Sequence, residues 1–183
     1  MHRVLLVGPG GAGKTTLARQ LGDITGLPVV HLDALYWRAG WVSTPKDEWE
    51  PIVERLCSAP TWIMDGNFGG TIDQRLAACD TVLLLDLAPW RCLWRVLTRT
   101  VRYAGRSRPD MAPDCPERFD AAFLWWIATY RRKKLPALLA RLEAARGAGT
   151  NVVILRTPDE VERFLADVRA TRDAVATAAV SPR

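Results

Sequence analysis

Apolar and polar positions along the chain fall into two alternating periods. Short, nearly continuous apolar runs stand at Arg3-Val4-Leu5-Leu6-Val7, Leu27-Pro28-Val29-Val30-His31-Leu32, Thr61-Trp62-Ile63-Met64, Thr81-Val82-Leu83-Leu84-Leu85 and Asn151-Val152-Val153-Ile154-Leu155. Runs this short and this apolar read as strands covered on both faces. Between them apolar residues recur every three or four positions, as at Leu17, Ala18 and Leu21, and again at Val161, Phe164, Leu165 and Val168. That spacing predicts helices. Strands alternating with helices predict an α/β fold on a parallel sheet.

Punctuation refines the pattern. Gly22 to Gly26 ends the first helix. Thr44 or Ser43 is placed to cap a helix from Pro45 to Cys57, and Pro51 inside it predicts a kink or two short pieces. Gly69-Gly70-Thr71 opens a short helix through about Ala78. Phe119 to about Ala145 reads as one long helix, with Pro136 as a possible bend. The stretch 105–118, with Gly105, Pro109, Pro113 and Pro116, predicts a mobile loop at the tip of a lid. From Thr171 the chain is alanine-rich with few large apolar residues, which predicts a frayed tail. The expected organisation is a single domain over 1–170, a lid at about 100–135, and a flexible tail at 171–183.

Composition changes this picture little. The chain has 183 residues, 49% hydrophobic and 25% charged, an ordinary balance for a globular domain. No apolar stretch approaches the roughly 20 residues of a membrane span. Met1-His2-Arg3 leads straight into the first strand, which predicts no signal peptide. Cys57, Cys79, Cys92 and Cys115 form no C-x-x-C pair, so free thiols in a cytoplasmic protein are expected. A net charge of +5 suits a polyanionic ligand or a nucleic acid.

The chemistry begins at Gly8-Pro9-Gly10-Gly11-Ala12-Gly13-Lys14-Thr15, a glycine, four residues, then Gly-Lys-Thr, between a strand and a helix. This is the phosphate-loop pattern in the setting that supports it. Glycines let main-chain N–H groups converge on phosphate oxygens, and the helix adds its positive N-terminal end. Gly8, Gly10, Gly11, Ala12, Gly13, Lys14, Thr15 and Thr16 are thus expected to hold a nucleoside triphosphate. Lys14 would reach the β- and γ-phosphates, Thr15 would ligate Mg²⁺, and Thr16 would donate to the α-phosphate.

Three aspartates stand at strand ends, where α/β sheets bind ligands. Asp33 follows the second strand and could take a proton from an acceptor hydroxyl, hold a water on Mg²⁺, or simply cap a helix. His31 is read as structural. Asp65-Gly66-Asn67 follows the third strand: Asp65 resembles the carboxylate that phosphate-loop kinases hold near the metal, against the alternative of a turn residue, and Asn67 could touch substrate. Asp86 follows the fourth strand and resembles a Walker B aspartate. The aromatic segment at 34–45, with Tyr36, Trp37 and Trp41, is either the wall of an acceptor pocket or an apolar cover over the core. Arg91, Arg95, Arg99, Arg102 and Arg106 are spaced four, four, three and four apart, which puts them on one helical face. Like charges so placed repel, so the row predicts a clamp for phosphoryl groups rather than a device for helix stability. Leu93, Val96, Leu97, Thr100 and Val101 are then expected to face the core. Arg156, after the fifth strand, could border the nucleotide base.

Five strands with the phosphate loop on the first resemble the nucleoside monophosphate kinase and shikimate kinase group. The resemblance implies a three-layer fold with a five-stranded parallel sheet in the order 2-3-1-4-5 and a helical lid. Strand 3 then lies beside strand 1, which ranks Asp65 above Asp86, and Arg95 and Arg99 look like lid arginines. More narrowly, Leu32-Asp33-Ala34-Leu35-Tyr36-Trp37, Trp62-Ile63-Met64-Asp65-Gly66-Asn67, Cys92-Leu93-Trp94-Arg95-Val96-Leu97 and Cys115-Pro116-Glu117-Arg118-Phe119 resemble the adenylate-kinase-like family named DNA topology modulation proteins. The Asp-Gly-Phe-Pro-Arg pattern of adenylate kinases is absent, since Asn67 and Phe68 follow Asp65-Gly66. The expected activity is an ATP- and Mg²⁺-dependent phosphotransferase acting on a small acceptor, as a monomer or homodimer, with no membrane partner. Lys14, Asp33, Asp65, Arg95 and Arg99 would carry the chemistry. The alternative is a nucleic-acid-associated ATPase; a nucleotide-dependent switch is weaker, because no Asn-Lys-x-Asp motif occurs.

Overall fold

The computed structural model of the protein describes residues 1–108 and 111–180. Five parallel strands make the main sheet: β1 (Arg3–Val7), β2 (Val29–His31), β5 (Trp62–Asp65), β6 (Thr81–Leu85) and β7 (Asn151–Leu155). Their order is β2-β5-β1-β6-β7. The two intervening labels belong to a separate ribbon, β3 (Trp37–Arg38) paired antiparallel with β4 (Val42–Ser43). Among the main-sheet strands alone the order is therefore 2-3-1-4-5, as the resemblance implied.

Successive strand residues point to opposite faces, so each strand feeds both outer layers. Val4, Leu6, Ile63, Leu83 and Leu85 pack on one side with Leu17 and Leu21 of α1 (Lys14–Thr25), Cys92 and Val96 of α5 (Pro89–Arg102), Ile127 of α6 (Ala121–Lys133) and Leu165 of α8 (Pro158–Val180). Leu5, Val7, Met64, Val82 and Leu84 pack on the other with Trp49 and Val53 of α3 (Lys46–Ser58), Ile72 and Leu76 of α4 (Ile72–Ala78) and Leu142 of α7 (Leu135–Gly147). Each such side chain, fully removed from water, stabilises the fold by about 1.5–3 kcal/mol. The three-layer architecture is thus the expected one.

Local differences have local causes. The second strand stops at His31, and Leu32 and Asp33 already belong to the short helix α2 (Leu32–Tyr36). The helix with Pro51 runs unbroken from Lys46 to Ser58, anchored by buried Trp49 and Val53 on both sides of the proline. Its N-cap is Pro45, because the Thr44 hydroxyl donates to Tyr36 O at 2.7 Å instead of capping. The expected single helix from Phe119 is two, α6 and α7, separated at Lys134; Pro136 has no N–H to give and is seated in the first turn of the second. The segment from Thr171, expected to fray, continues α8 as far as Val180, in keeping with the high helix propensity of alanine, and Arg172 donates to Ile24 O. Residues 181–183 of the expected tail lie outside the described residues.

The core face of α5 also differs from expectation. Cys92 and Val96 are buried, whereas Leu97 and Val101 are 39% and 79% exposed, beside exposed Trp90 and Trp94. Of the residues expected to face the core, Val96 is buried and Leu93 packs against the same core, while Cys92 takes the place expected of Leu97 and Val101. The stretch 105–118, expected to be mobile, is tied down where it is described. Isolated bridges join Ala104 to Glu117 and Ser107 to Pro116. The Gly40 amide donates to Asp114 O at 2.8 Å and the Trp41 indole N–H to Pro116 O at 2.9 Å. Met111, Ala112 and Cys115 pack on Trp37 and Trp41. All four cysteines are free and buried, and among the described residues no helix is long and apolar enough to cross a membrane.

Candidate functional site

The loop between β1 and α1 takes its shape from backbone that only glycine adopts easily. Gly8, Gly11 and Gly13 have φ of +142°, +75° and +98°. A Cβ at Gly8 would lie 2.4 Å from Leu85 O, and one at Gly11 would lie 2.3 Å from Cys92 O. At Gly10 the obstacle is the Phe123 ring, 2.4 Å away. The loop is therefore pressed from outside by β6, α5 and α6, which fixes its curvature. Ala12 is buried, and its amide donates to Pro9 O at 3.3 Å.

Gly13 is the N-cap of α1 and no side chain caps that helix. Its first-turn N–H groups are of the kind that receive an anion. Lys14 Nζ donates to Gly8 O at 3.0 Å and Pro9 O at 3.1 Å, so the ammonium lies over the mouth of the loop. Thr15 Oγ1 donates to Asp65 Oδ2 at 2.6 Å. Thr16 is exposed in the same turn.

Asp65 ends β5, opposite Leu6 of β1 and His31 of β2. It is 6% exposed. Burial alone would raise its pKa, but hydrogen bonds from His31 and Thr15 and the Lys14 charge outweigh it and hold the carboxyl below its ordinary value. His31 Nδ1 lies 3.4 Å from the same Oδ2. A hydroxyl, a carboxylate and an ammonium converge here on one side of the loop. Hard oxygen ligands of this kind suit a divalent cation that takes its remaining ligands from phosphate and water.

The arginine row does not act as one unit. Arg95 Nη1 donates to Ala12 O at 3.3 Å and lies 3.4 Å from where a Gly13 Cβ would be, so this guanidinium reaches the phosphate loop. Arg99, one turn on, pairs with Glu117 Oε1 at 3.0 Å, and Arg108 pairs with Glu117 Oε2 at 2.7 Å. Arg91 lies over the Trp90 ring and Arg102 over the Tyr103 ring. The fourth-strand aspartate, Asp86, is held by Arg131 of α6, whose Nε donates to Oδ1 at 2.8 Å and whose Nη2 donates to Asp86 O at 3.0 Å.

Asp33 stands exposed in the first turn of α2, with His31 rather than Asp33 as the N-cap. The aromatic segment is both wall and packing. Tyr36 meets Trp49 and Phe68 with ring centroids 5.1 and 4.7 Å apart, and Trp37 and Trp41 reach the loop at 111–115. Arg156 is exposed at the end of β7, its amide donating to Glu160 Oε2 at 2.6 Å.

Comparison with known proteins follows the same lines. The model of the ATPase family associated with various cellular activities (AAA) matches residues 4–64, the segment with β1, the phosphate loop and α1. No curated protein matches the chain. Shikimate kinase from Acinetobacter baumannii, solved with shikimate, superposes with a TM-score of 0.53 at 16% identity, covering 99% of this chain and 96% of that one. A sugar kinase from Janibacter sp. HTCC2649, solved without ligand, gives a TM-score of 0.50 at 21% identity over 94% and 98% of the two chains. The fold is that of the phosphate-loop kinases. On this fold, several contacts carry no sequence signal of their own. Asn67, Arg75, Glu117 and Arg131 each find a partner through tertiary packing; Glu117 lies in a motif that gives it no role, and neither spacing nor motif marks Arg75 or Arg131.

Proposed function

We propose that the protein is an ATP- and Mg²⁺-dependent phosphotransferase acting on a small acceptor. The observation that carries this reading is the meeting of Thr15 Oγ1 and Asp65 Oδ2 at 2.6 Å beside Lys14 and an uncapped helix N-terminus. Thr15 and Asp65 would hold Mg²⁺, which when bound neutralises charge on the β- and γ-phosphates. Main-chain amides of Gly10 to Thr15 would bind the phosphate oxygens. Lys14 would leave the Gly8 and Pro9 carbonyls for the γ-phosphate. Arg95 would add positive charge from the α5 side as charge spreads over the transferring group. Arg99 would assist from the lid.

Asp33 would orient the acceptor hydroxyl and receive its proton. Arg156 would border the base. The segment at 111–118, fastened to the β3–β4 ribbon, would keep water from the transferring phosphoryl, since an open site would hydrolyse ATP. Kinship with the adenylate-kinase-like DNA topology modulation proteins rests on the motifs around Asp33, Asp65, Arg95 and Cys115, and belongs to the same proposal.

ADP release, measured across a panel of nucleotides, nucleosides, sugars and amino-alcohols, tests it. A true acceptor raises turnover and yields a phosphorylated product, and Lys14→Ala abolishes both. Full activity in Lys14→Ala would remove the phosphate loop from the mechanism.

A further inference from the structure

Arg75 is an arginine in the wrong place for an ordinary helix. It sits in α4 and is 0% exposed. Among the described residues it forms no ion pair with a carboxylate. Burying a charge is unfavourable unless its donors are fully used. Here they go to main-chain carbonyls: Nε donates to Thr71 O at 3.3 Å, Nη1 to Gly66 O at 2.7 Å, and Nη2 to Phe68 O at 2.9 Å and also to Asn67 O. Burial lowers its pKa to about 10, still far above neutrality, so the group keeps its charge.

Three consecutive carbonyls, 66 to 68, therefore point at one guanidinium. Carbonyl dipoles aimed at a common point repel one another, and a planar cation with several N–H donors offsets that repulsion. The backbone there is unusual as well. Gly66 has φ +150° and Phe68 φ +32°, the latter an uncommon value for a bulky residue. A Cβ at Gly66 would meet Leu32 Cβ at 3.0 Å and the Phe68 ring at 3.1 Å.

With its carbonyls turned to Arg75, the segment presents its side chains elsewhere. Asn67 grips the first glycine of the phosphate loop at both ends: Oδ1 accepts from the Gly8 amide at 3.0 Å, and Nδ2 donates to Gly8 O at 2.7 Å. That second oxygen is the one Lys14 Nζ also approaches. Phe68 turns its ring to Tyr36 and Trp49. We infer that Arg75 is a positioning residue for phosphoryl transfer, holding the turn after β5 so that Asn67 sets the entrance of the phosphate loop. The inference rests on the nucleotide-binding part of the function proposed above. It also assigns Asn67 to the loop rather than to substrate.

The test uses ¹⁵N-labelled full-length protein and needs no acceptor. Arg75→Met, Arg75→Lys, Asn67→Ala and the double variant Arg75→Met/Asn67→Ala are compared for the Gly8 amide resonance and for ADP affinity. All are first shown to be folded by circular dichroism. Arg75→Met and Asn67→Ala are expected to shift the Gly8 resonance in the same direction and to weaken ADP binding about 10-fold each, as loss of a buried hydrogen-bond partner would. The double variant should be no worse than the weaker single, because both act through one chain of contacts. If Arg75→Met does not fold, Arg75→Lys replaces it, since one ammonium cannot span three carbonyls. A folded Arg75 variant with wild-type Gly8 resonance and ADP affinity overturns the inference, as do strictly additive losses. Lys14→Ala separates the two readings: unchanged ADP binding in that variant refutes the nucleotide site, while the Gly8 resonance still reports on Arg75.

Discussion

The carboxyl ends of β5 and β6 flank the central strand and carry one pattern, an apolar run closed by an aspartate, yet the two aspartates meet opposite partners. Asp65 accepts from the Thr15 hydroxyl at 2.6 Å and lies 3.4 Å from His31. Asp86 accepts from the Arg131 guanidinium at 2.8 Å. The first carboxylate faces the phosphate loop; the second fastens α6 to the sheet. Strand ends mark the functional edge of an α/β sheet. Which of two equivalent aspartates can take part in chemistry is decided by what the next layer brings to it.

Exchanging each carboxylate for its amide should widen that contrast. Asp65→Asn is expected to lower ATP turnover about 100-fold or more, the size seen when one preorganised electrostatic group is removed. Asp86→Asn should stay within about 3-fold of wild type in the same ADP-release assay, because its carboxylate is engaged by Arg131 rather than by the phosphate loop. Equal losses in the two variants would erase the distinction.

The arginines of α5 divide in the same way, with a smaller effect. Arg95→Ala should slow turnover about 10-fold or more, since its guanidinium touches the loop at Ala12. Arg91→Ala, which only uncovers Trp90, should fall within about 3-fold. A row acting as one clamp would instead lose comparable activity at both positions.

On stability the order reverses. Arg131 is 43% exposed and Asp86 11%, which places this pair between a surface and a buried ion pair. Asp86→Asn is expected to cost about 1–2 kcal/mol, a fall in melting temperature of about 2–8 °C, and Arg131→Met somewhat less. A melting temperature unchanged in both variants would show that the pair does not hold α6.

The smallest effect is in acid. The Asp65 carboxyl is held below its ordinary value of 3.8 in the folded protein. A depressed folded-state pKa contributes stability that is complete above the unfolded value and is lost as pH falls through the folded one. Wild type should therefore lose stability below about pH 4 more steeply than Asp65→Asn, by chemical denaturation at each pH. Parallel curves would contradict the arrangement around Asp65.

What could be read in the chain beforehand follows the range of the forces involved. The phosphate loop was legible because glycine and lysine at fixed spacing are a local backbone requirement. Buried strands were legible because apolar runs are local too. Asp65 ranks above Asp86 only through the strand order that the resemblance implies. The Arg131 contact spans 45 residues and the Asn67 contact 59, and no periodicity encodes either. Arg75 is unreadable for a sharper reason: its charge argues for the surface, and main-chain carbonyls of residues 66 to 68 and of Thr71 make burial tolerable. The β3–β4 ribbon leaves no sequence signal, because two-residue strands carry no alternation. On α5 the helical period groups Leu97 and Val101 with Leu93 and Val96, and only packing against the sheet separates the buried pair from the exposed one.

The account stands most directly on a calorimetric titration of ATP with and without Mg²⁺ into wild type, Asp65→Asn and Asp86→Asn. Wild type and Asp86→Asn should bind ATP at least about 10-fold more tightly with Mg²⁺, and Asp65→Asn should lose that gain. If Asp86→Asn loses the Mg²⁺ dependence while Asp65→Asn keeps it, the two strand ends have been assigned the wrong way round.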